Sequence, residues 1–249
     1  MKKLLLLFLA LSVPFAALAD PLPLAEDFSG TITVWYDEQD PSAGKYEYSY
    51  RLPRVDPEDP SAYLVNSFYE SELRYTEVYD APTMADYYAA SGENYTVRVT
   101  YDVTLNNDEF FSVRLRKVTE DADGRTEVWE GNTFSRLNGM PGSLFSLPNV
   151  LGMLEAGETD GWLEDRQVQK VRDAVYSLVW NMIGENAGSL PFSPALTRES
   201  LEQVFDPELD FWLDETGNPV FFIMPQWQDF PDAEILVYSV SLEAIADEI

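Results

Sequence analysis

Carboxylates are the side chains with which this sequence could do chemistry. The chain has 44 Asp and Glu against 16 Lys and Arg, with no His and no Cys. The absence of His and Cys excludes Ser-His-Asp and Cys-His catalysis, disulfides, iron–sulfur centres and zinc sites built on either residue. What remains is carboxylate chemistry, Ser-Lys chemistry, the binding of hard cations, or no catalysis.

One segment has the spacing of a Ser-Lys enzyme. Ser42 and Lys45 match the S-x-x-K pattern, in which the Ser opens a helix and the Lys lies one turn further on. Here the pattern falls in a turn between two predicted strands, and neither S-D-N nor K-T-G occurs. We therefore interpret Ser42–Lys45 as a coincidence of turn sequence.

Two acidic turns resemble parts of a calcium loop. Asp121-x-Asp123-Gly124 lacks the third ligand and the closing Glu that the full loop needs, and Asp-Gly between two strands is explained by a type I′ turn. The same interpretation covers Asp214–Asn218. The sequence leaves a loosely bound surface cation open, but it names no metal-binding residue.

A carboxylate pair is sufficient for glycoside hydrolysis. With 44 acids, some pair always falls at a suitable distance, so composition alone cannot identify an active site. An acidic pair inside an aromatic-lined cleft, with one raised pKa, would favour a hydrolase. Five tryptophans could line such a cleft, although such residues are more often core anchors: Trp129, Trp162, Trp180, Trp212 and Trp227.

Residues 1–19 have the pattern of a cleavable secretory signal. Lys2 and Lys3 precede the apolar stretch Leu4–Val13, and Ala17–Ala19 forms a small-x-small cleavage site. The apolar stretch of about ten residues is too short to cross a bilayer as a helix. We therefore expect an extracytoplasmic protein, secreted or periplasmic, that is cleaved near Ala19 and has no transmembrane anchor.

The charge restricts the partners. At a formal net charge of −28, the chain would be repelled by nucleic acid and by anionic lipid surfaces. The same charge favours fast capture of cationic partners, although an acidic, solvated surface without a specific partner remains the alternative. With 45% hydrophobic and 14% aromatic residues, the chain can build a substantial core.

The hydrophobic pattern predicts an α+β fold with a mainly antiparallel sheet. Tyr95–Leu105 alternates apolar and polar residues, and two further strands complete a central meander over 95–135 with one wet face. We expect an N-terminal α+β portion, 20–94, to pack with a C-terminal domain, 95–249, as one unit. The other predicted elements are a hairpin of Phe28–Asp37 with Tyr46–Leu52, a helix after Ser61, a long helix through Val168–Ile183 ending at Gly184, a short helix at Arg198–Phe205, a hairpin of Leu209–Leu213 with Val220–Met224, a strand at Glu234–Val240 and a terminal helix capped by Ser241.

The order of several short segments resembles the RsiV-like extracytoplasmic domain family. These segments are Asn66 in a helix after Arg51-Leu52-Pro53, the strand Tyr95–Leu105 leading into Phe110–Val118, and then Asn132–Gly139, Leu144–Leu147, Phe221–Trp227 and Glu234–Leu242. The family includes the outer part of a membrane anti-sigma factor that senses lysozyme, domains beside peptidoglycan deacetylases, and stand-alone secreted bacterial proteins.

This resemblance implies a non-catalytic binding domain, and lysozyme or another cationic protein is the implied partner. The chain departs from the family pattern because it lacks the Gly-Gly-Ala-His stretch, and Gln226-Trp227 follows Pro225 where the family has Tyr. The family's contact residues do not map onto a motif here, so the resemblance assigns no catalytic, cofactor-binding or metal-binding residue and no cofactor. A glycan- or peptidoglycan-active hydrolase that uses a carboxylate pair is the alternative function, and a structural envelope protein without a specific ligand is a third.

Overall fold

The computed structural model describes residues 20–59, 62–136, 150, 161–186, 197–224 and 235–249. The proposed signal, residues 1–19, lies outside the described residues, as do Ser61 and the segment Leu144–Leu147. The helices are α1 (Ala62–Tyr75), α2 (Ala81–Tyr88), α3 (Gly161–Asn186), α4 (Arg198–Val204) and α5 (Leu242–Glu248). The strands are β1 (Phe28–Trp35), β2 (Lys45–Leu52), β3 (Tyr95–Asn106), β4 (Phe110–Asp121), β5 (Gly124–Ser135), β6 (Phe211–Leu213), β7 (Pro219–Ile223) and β8 (Leu236–Ser239).

The larger sheet has five strands in the order β1-β2-β3-β4-β5. Every neighbouring pair is antiparallel except β2 and β3, which run parallel. A parallel pair needs a crossover, and α1, a π-helical turn at Thr76–Asp80 and α2 supply it. The predicted hairpin and meander are confirmed, whereas the parallel pair, the π-helical turn and α2 were not predicted.

The smaller sheet packs against the face of the larger sheet that α1 and α2 do not cover. It has the antiparallel order β6-β7-β8, and its strand β6 contacts β3, β4 and β5. Strands β6 and β7 are buried on both faces, so that Phe221 and Ile223 join one apolar core while Val220 and Phe222 join another; β8 alternates buried and exposed residues. The helices α3, α4 and α5 cover its outer side. The α+β class with mainly antiparallel sheet is therefore confirmed.

The separate core of the larger sheet lies under α1 and α2. Val65 and Tyr69 on α1 and Ala81 and Ala85 on α2 are buried there. Asn66 fixes α1 in place, because its side chain both accepts a hydrogen bond from the Val55 amide at 2.9 Å and donates one to the Val55 carbonyl at 2.8 Å.

Two predictions about local structure are wrong. Gly184 does not end the long helix, since α3 continues to Asn186. The second face of the meander is not wet along its whole length, because Ser112 and Thr133 are buried beneath the smaller sheet. The proposed division into 20–94 and 95–249 stays a prediction, and strands from both segments pair in the larger sheet.

Candidate functional site

A cleft lies between the crossover helices and one face of the larger sheet. Its volume is about 680 Å³, within the range of about 300 to 1,000 Å³ that is typical of ligand sites. The helical wall includes Phe68, Tyr69, Glu72, Thr76, Asp80 and Met84, and the strands contribute Tyr46, Tyr48, Tyr95, Lys117, Val128 and Glu130. The cleft is thus lined by aromatic rings and by acidic side chains.

The period-2 pattern of β4 and β5 explains the polar floor of the cleft. Leu115 and Lys117 on β4 and Val128 and Glu130 on β5 all face it, and Leu115 is the cross-strand partner of Glu130. Because successive side chains alternate in a strand, Glu130 points to the helix side while Trp129 and Gly131 point to the smaller sheet. The π-helical turn presents Thr76 and Asp80 to the same cleft.

Carboxylates dominate the charge of the cleft. Of its described lining residues, four are acids, Glu72, Asp80, Asp121 and Glu130, and one, Lys117, is a base. The surrounding protein raises the pKa of Glu130 by desolvation, and Glu72 adds to this effect, whereas the Asn132 amide and Lys117 oppose it. The Glu130 side chain nevertheless remains accessible to water from the open side of the cleft.

The tyrosines of the cleft are neutral hydrogen-bonding groups. Burial, with Glu130 nearby, raises the pKa of Tyr48 to about 12, and burial also raises the pKa values of Tyr46 and Tyr69. The Tyr69 hydroxyl and the Asn132 amide nitrogen are closed off from solvent and lie close together, but neither has a partner in hydrogen-bonding geometry among the described residues. An orphaned buried polar group is costly, so each one needs an explanation, of which a functional role is one.

Stacked rings hold one wall of the cleft in place. The ring centroids of Tyr46 and Tyr95 lie 5.7 Å apart, and those of Tyr95 and Tyr88 lie 3.9 Å apart. Tyr87 contacts Tyr88 in turn and is exposed on the outer face of α2. The wall is therefore a packed aromatic surface that does not need to order itself when a ligand arrives.

The Ser-Lys pattern has no catalytic geometry. Residues 41–43 form a 3-10 turn, and the Ser42 hydroxyl donates to the Asp40 carboxylate at 2.5 Å. The Lys45 amine pairs with the Glu47 carboxylate instead of with Ser42. This agrees with the interpretation of Ser42–Lys45 as turn sequence.

The acidic turns use their carboxylates internally. Asp121 accepts hydrogen bonds from the amides of Asp123 and Gly124, and Asp214 accepts them from the amides of Thr216 and Asn218. Over the described ranges, no group of three or more Asp and Glu side chains is placed to hold a metal ion. The hypothesis of a loose surface cation therefore gains no support from either turn.

The tryptophans do not assemble as a set. Trp129 borders the cleft, but its ring packs against Trp212 and Phe222 on the other face of the sheet. Trp212 is buried and Trp180 packs against the core around α3. The side chains of Trp162 and Trp227 lie outside the described residues.

Sequence analysis missed the residues that matter most in the cleft. Glu72 and Glu130 both line this aromatic cleft, and Glu72 acts electrostatically on Glu130, yet neither was singled out. A signal was present: Glu130 and Asn132 share a strand face with Val128 and Phe134, so polar residues interrupt an apolar face.

The first of two similar known structures confirms the fold. A crystal structure of a DUF3298 family protein from Bacteroides fragilis covers 92% of this chain and 94% of its own, at 13% identity and a TM-score of 0.51. A DUF3298 family protein from Pseudomonas aeruginosa covers 91% and 94%, at 12% identity and a TM-score of 0.45. DUF3298 is the RsiV-like domain family, so the first of these structures shows that the chain shares the fold of a member of that family.

Sequence comparison adds no closer relationship. No protein-family model matches the chain, and no curated protein matches it. Within the described part of the chain, none of the helices combines the length and the apolar character that crossing a membrane requires.

Proposed function

We propose that this chain is a non-catalytic binding protein of the RsiV-like type that acts outside the cytoplasm and recognises a cationic protein, with lysozyme as the first candidate. The acid-lined cleft is the observation that carries the proposal. The leader-like residues 1–19 support export, and the fold supports the RsiV-like type.

The acidic charge of the cleft indicates that its partner is cationic. Among the described residues of the cleft, four carboxylates against one amine give it a negative potential, and the net charge of −28 on the chain has the same sign. Complementary charge steers encounter and suppresses wrong partners more than it adds raw affinity. Cleft shape and aromatic contact would therefore supply the part of the affinity that survives salt.

The first experiment is a calorimetric titration of the protein with a cationic lysozyme at low, physiological and high salt. We expect saturable one-to-one binding that persists at physiological salt and weakens, without vanishing, above it. The double variant Glu72→Gln with Glu130→Gln should weaken binding by at least about tenfold.

The matched control changes charge equally at a distant place. Glu243→Gln with Glu248→Gln removes two exposed carboxylates from α5, on the other side of the larger sheet. This control should alter the affinity by less than about twofold, since exposed charges are largely screened. Binding that disappears as salt rises, or an equal loss in both double variants, would show non-specific attraction and refute the proposal.

A carboxylate-pair hydrolase is the second candidate, favoured by one observation. Desolvation raises the pKa of Glu130 in an aromatic-lined cleft that also contains Glu72, and a carboxyl group with a raised pKa is the general acid that a glycosidase needs. Incubation with peptidoglycan, followed by an assay for new reducing ends, distinguishes the two candidates. We expect no release; release that Glu130→Gln abolishes would establish the hydrolase and overturn the non-catalytic proposal.

A further inference from the structure

We infer that the cleft binds an arginine side chain, presented on a short peptide segment of the partner, with its guanidinium group beside Glu130. This inference rests on the proposed recognition of a cationic protein and names the chemical group that the cleft takes.

The Glu130 carboxylate, which lines the cleft, has no ion-pair partner among the described residues. Glu130 forms no ion pair within 4.0 Å with any Lys or Arg of the described ranges, and neither does Lys117 with any acid there. On the opposite face of the same strand, Glu127 accepts two hydrogen bonds from Arg116, at 3.0 and 3.1 Å. The Glu130 carboxylate is therefore available to pair with an incoming cation, whereas the Glu127 carboxylate on the other face is already paired with Arg116.

The walls of the cleft favour a guanidinium over an ammonium group. A guanidinium stacks on aromatic faces, is weakly hydrated and donates to a carboxylate in a planar fork, whereas an ammonium is compact and strongly hydrated. Tyr46, Tyr48 and Tyr95 supply aromatic rings close to the acids, and Asp80 acts electrostatically on both Tyr46 and Tyr48. Rings and carboxylates are thus arranged together, as arginine recognition requires.

A second observation in the same wall points to a ligand. The Tyr69 hydroxyl is closed off from solvent and has no partner within the described part of the chain. Tyr69 itself is only 1% exposed, so water does not compensate this hydroxyl as it does at the surface. The cleft is also larger than one side chain, at about 680 Å³, which leaves room for the residues that flank an arginine.

The test uses N-acetyl-argininamide as probe and the purified full protein, followed by NMR chemical-shift titration at low salt. We expect saturable binding with shifts centred on the cleft, and no binding of N-acetyl-citrullinamide, which has nearly the same shape without the charge. Glu130→Gln should weaken binding of the probe by about tenfold, because it removes a carboxylate that would form a charge-assisted hydrogen bond.

A paired variant gives an effect of the opposite sign. Lys117→Gln removes the one base of the cleft and should tighten the probe by about twofold or more. Glu243→Gln, which removes an exposed carboxylate from α5, should leave the affinity unchanged. Loss in one variant with gain in the other cannot result from partial unfolding, which would weaken binding in both.

The outcomes separate this inference from the proposed function. If lysozyme binds but neither the probe nor Glu130→Gln has any effect, the arginine site is wrong and recognition uses another surface. If the probe binds with the expected pattern but lysozyme does not, the arginine site stands and the partner must be a different cationic protein. Equal binding of the citrulline compound would overturn the inference, since charge would then not be recognised.

Discussion

The polar residues on the two faces of β5 differ in whether they have hydrogen-bond or ion-pair partners. On the face beneath the smaller sheet, Glu127 is paired with Arg116, and the Ser112 and Thr133 hydroxyls are hydrogen bonded to each other at 2.9 Å. On the cleft face, Glu130 has no ion pair in the described ranges, and the buried Asn132 amide nitrogen has no hydrogen-bond partner there.

This difference distinguishes polar groups that stabilise the fold from polar groups that are available to bind a ligand. A fold that only needed stability would satisfy the polar groups of both faces, because an unsatisfied buried group costs about 1 to 3 kcal/mol. Both faces carry such a cost, at Tyr69 and Asn132 on the cleft face and at the Arg114 Nε on the other, but on the cleft face it lies beside an accessible cavity. The difference supports the proposed recognition on the helix side of the sheet, whereas the other side holds the two sheets together.

The largest expected effect comes from the closed face. A Cβ at Gly131 would lie 1.6 Å from the Phe211 carbonyl oxygen, so Gly131→Ala must separate the two sheets. We expect the free energy of unfolding, measured with urea, to fall by about 3 kcal/mol or more. Gly184→Ala is the matched control, since its Cβ meets nothing within 4 Å on the exposed side of α3.

That control should raise the free energy of unfolding by about 0.5 to 1 kcal/mol, the helix preference of Ala over Gly. A small effect of Gly131→Ala would mean that β6 does not lie against β5 as described, and the contrast between the faces would fail.

Loss of one buried hydroxyl should have different effects on the two faces. The Ser112 hydroxyl accepts a hydrogen bond from the Leu213 amide at 2.9 Å, so Ser112→Ala strands that donor and should cost about 1 to 2 kcal/mol. Tyr69→Phe removes a buried hydroxyl without a partner among the described residues and should raise the free energy of unfolding, by about 1 kcal/mol. Equal losses in the two variants by urea denaturation would contradict the contrast.

The smallest effects concern the two glutamates and depend on pH. Hydrogen bonding from Arg116, with Trp129 contributing, lowers the pKa of Glu127, so its stabilisation is present above the unfolded-state pKa of glutamate and is lost as pH falls. Glu127→Gln should therefore cost about 0.5 to 1 kcal/mol at pH 7 and nothing in strong acid.

Glu130 should behave with the opposite sign. Desolvation raises its pKa, helped by Glu72 and opposed by Asn132 and Lys117, so the folded state loses stability as pH rises from the ordinary glutamate pKa through the raised one. Tyr48 and Tyr69 also face this carboxyl and stay neutral over that range.

Glu130→Gln should consequently be more stable than the parent by roughly 0.5 kcal/mol at pH 7 and equal to it in acid. Urea titrations of both single variants at a series of pH values check the two signs together. Stability losses of the same sign in both variants at pH 7 would show that Glu130 is a structural partner and not an unpaired group.

Much of the fold was predictable because the apolar periodicity is local. Alternation over 95–105 fixed the strands of the meander, and the stripe from Val168 to Ile183 fixed α3. The prediction failed where a segment distant in sequence covers a surface. The alternation in β4 predicts that Ser112 is exposed to solvent, yet its hydroxyl is buried and accepts a hydrogen bond from the amide of Leu213.

The candidate site was less predictable than the fold for the same reason. The sequence determined the chemistry available, which is carboxylate and aromatic chemistry without His or Cys, together with the charge and the elements that carry them. Only the tertiary structure decided that Glu72 of α1 and Glu130 of β5 share one cleft, because that depends on the crossover helices packing over β4 and β5. Local sequence patterns predict the face of a strand or helix on which a residue lies. The long-range packing of helices on a sheet determines which residues that face contacts.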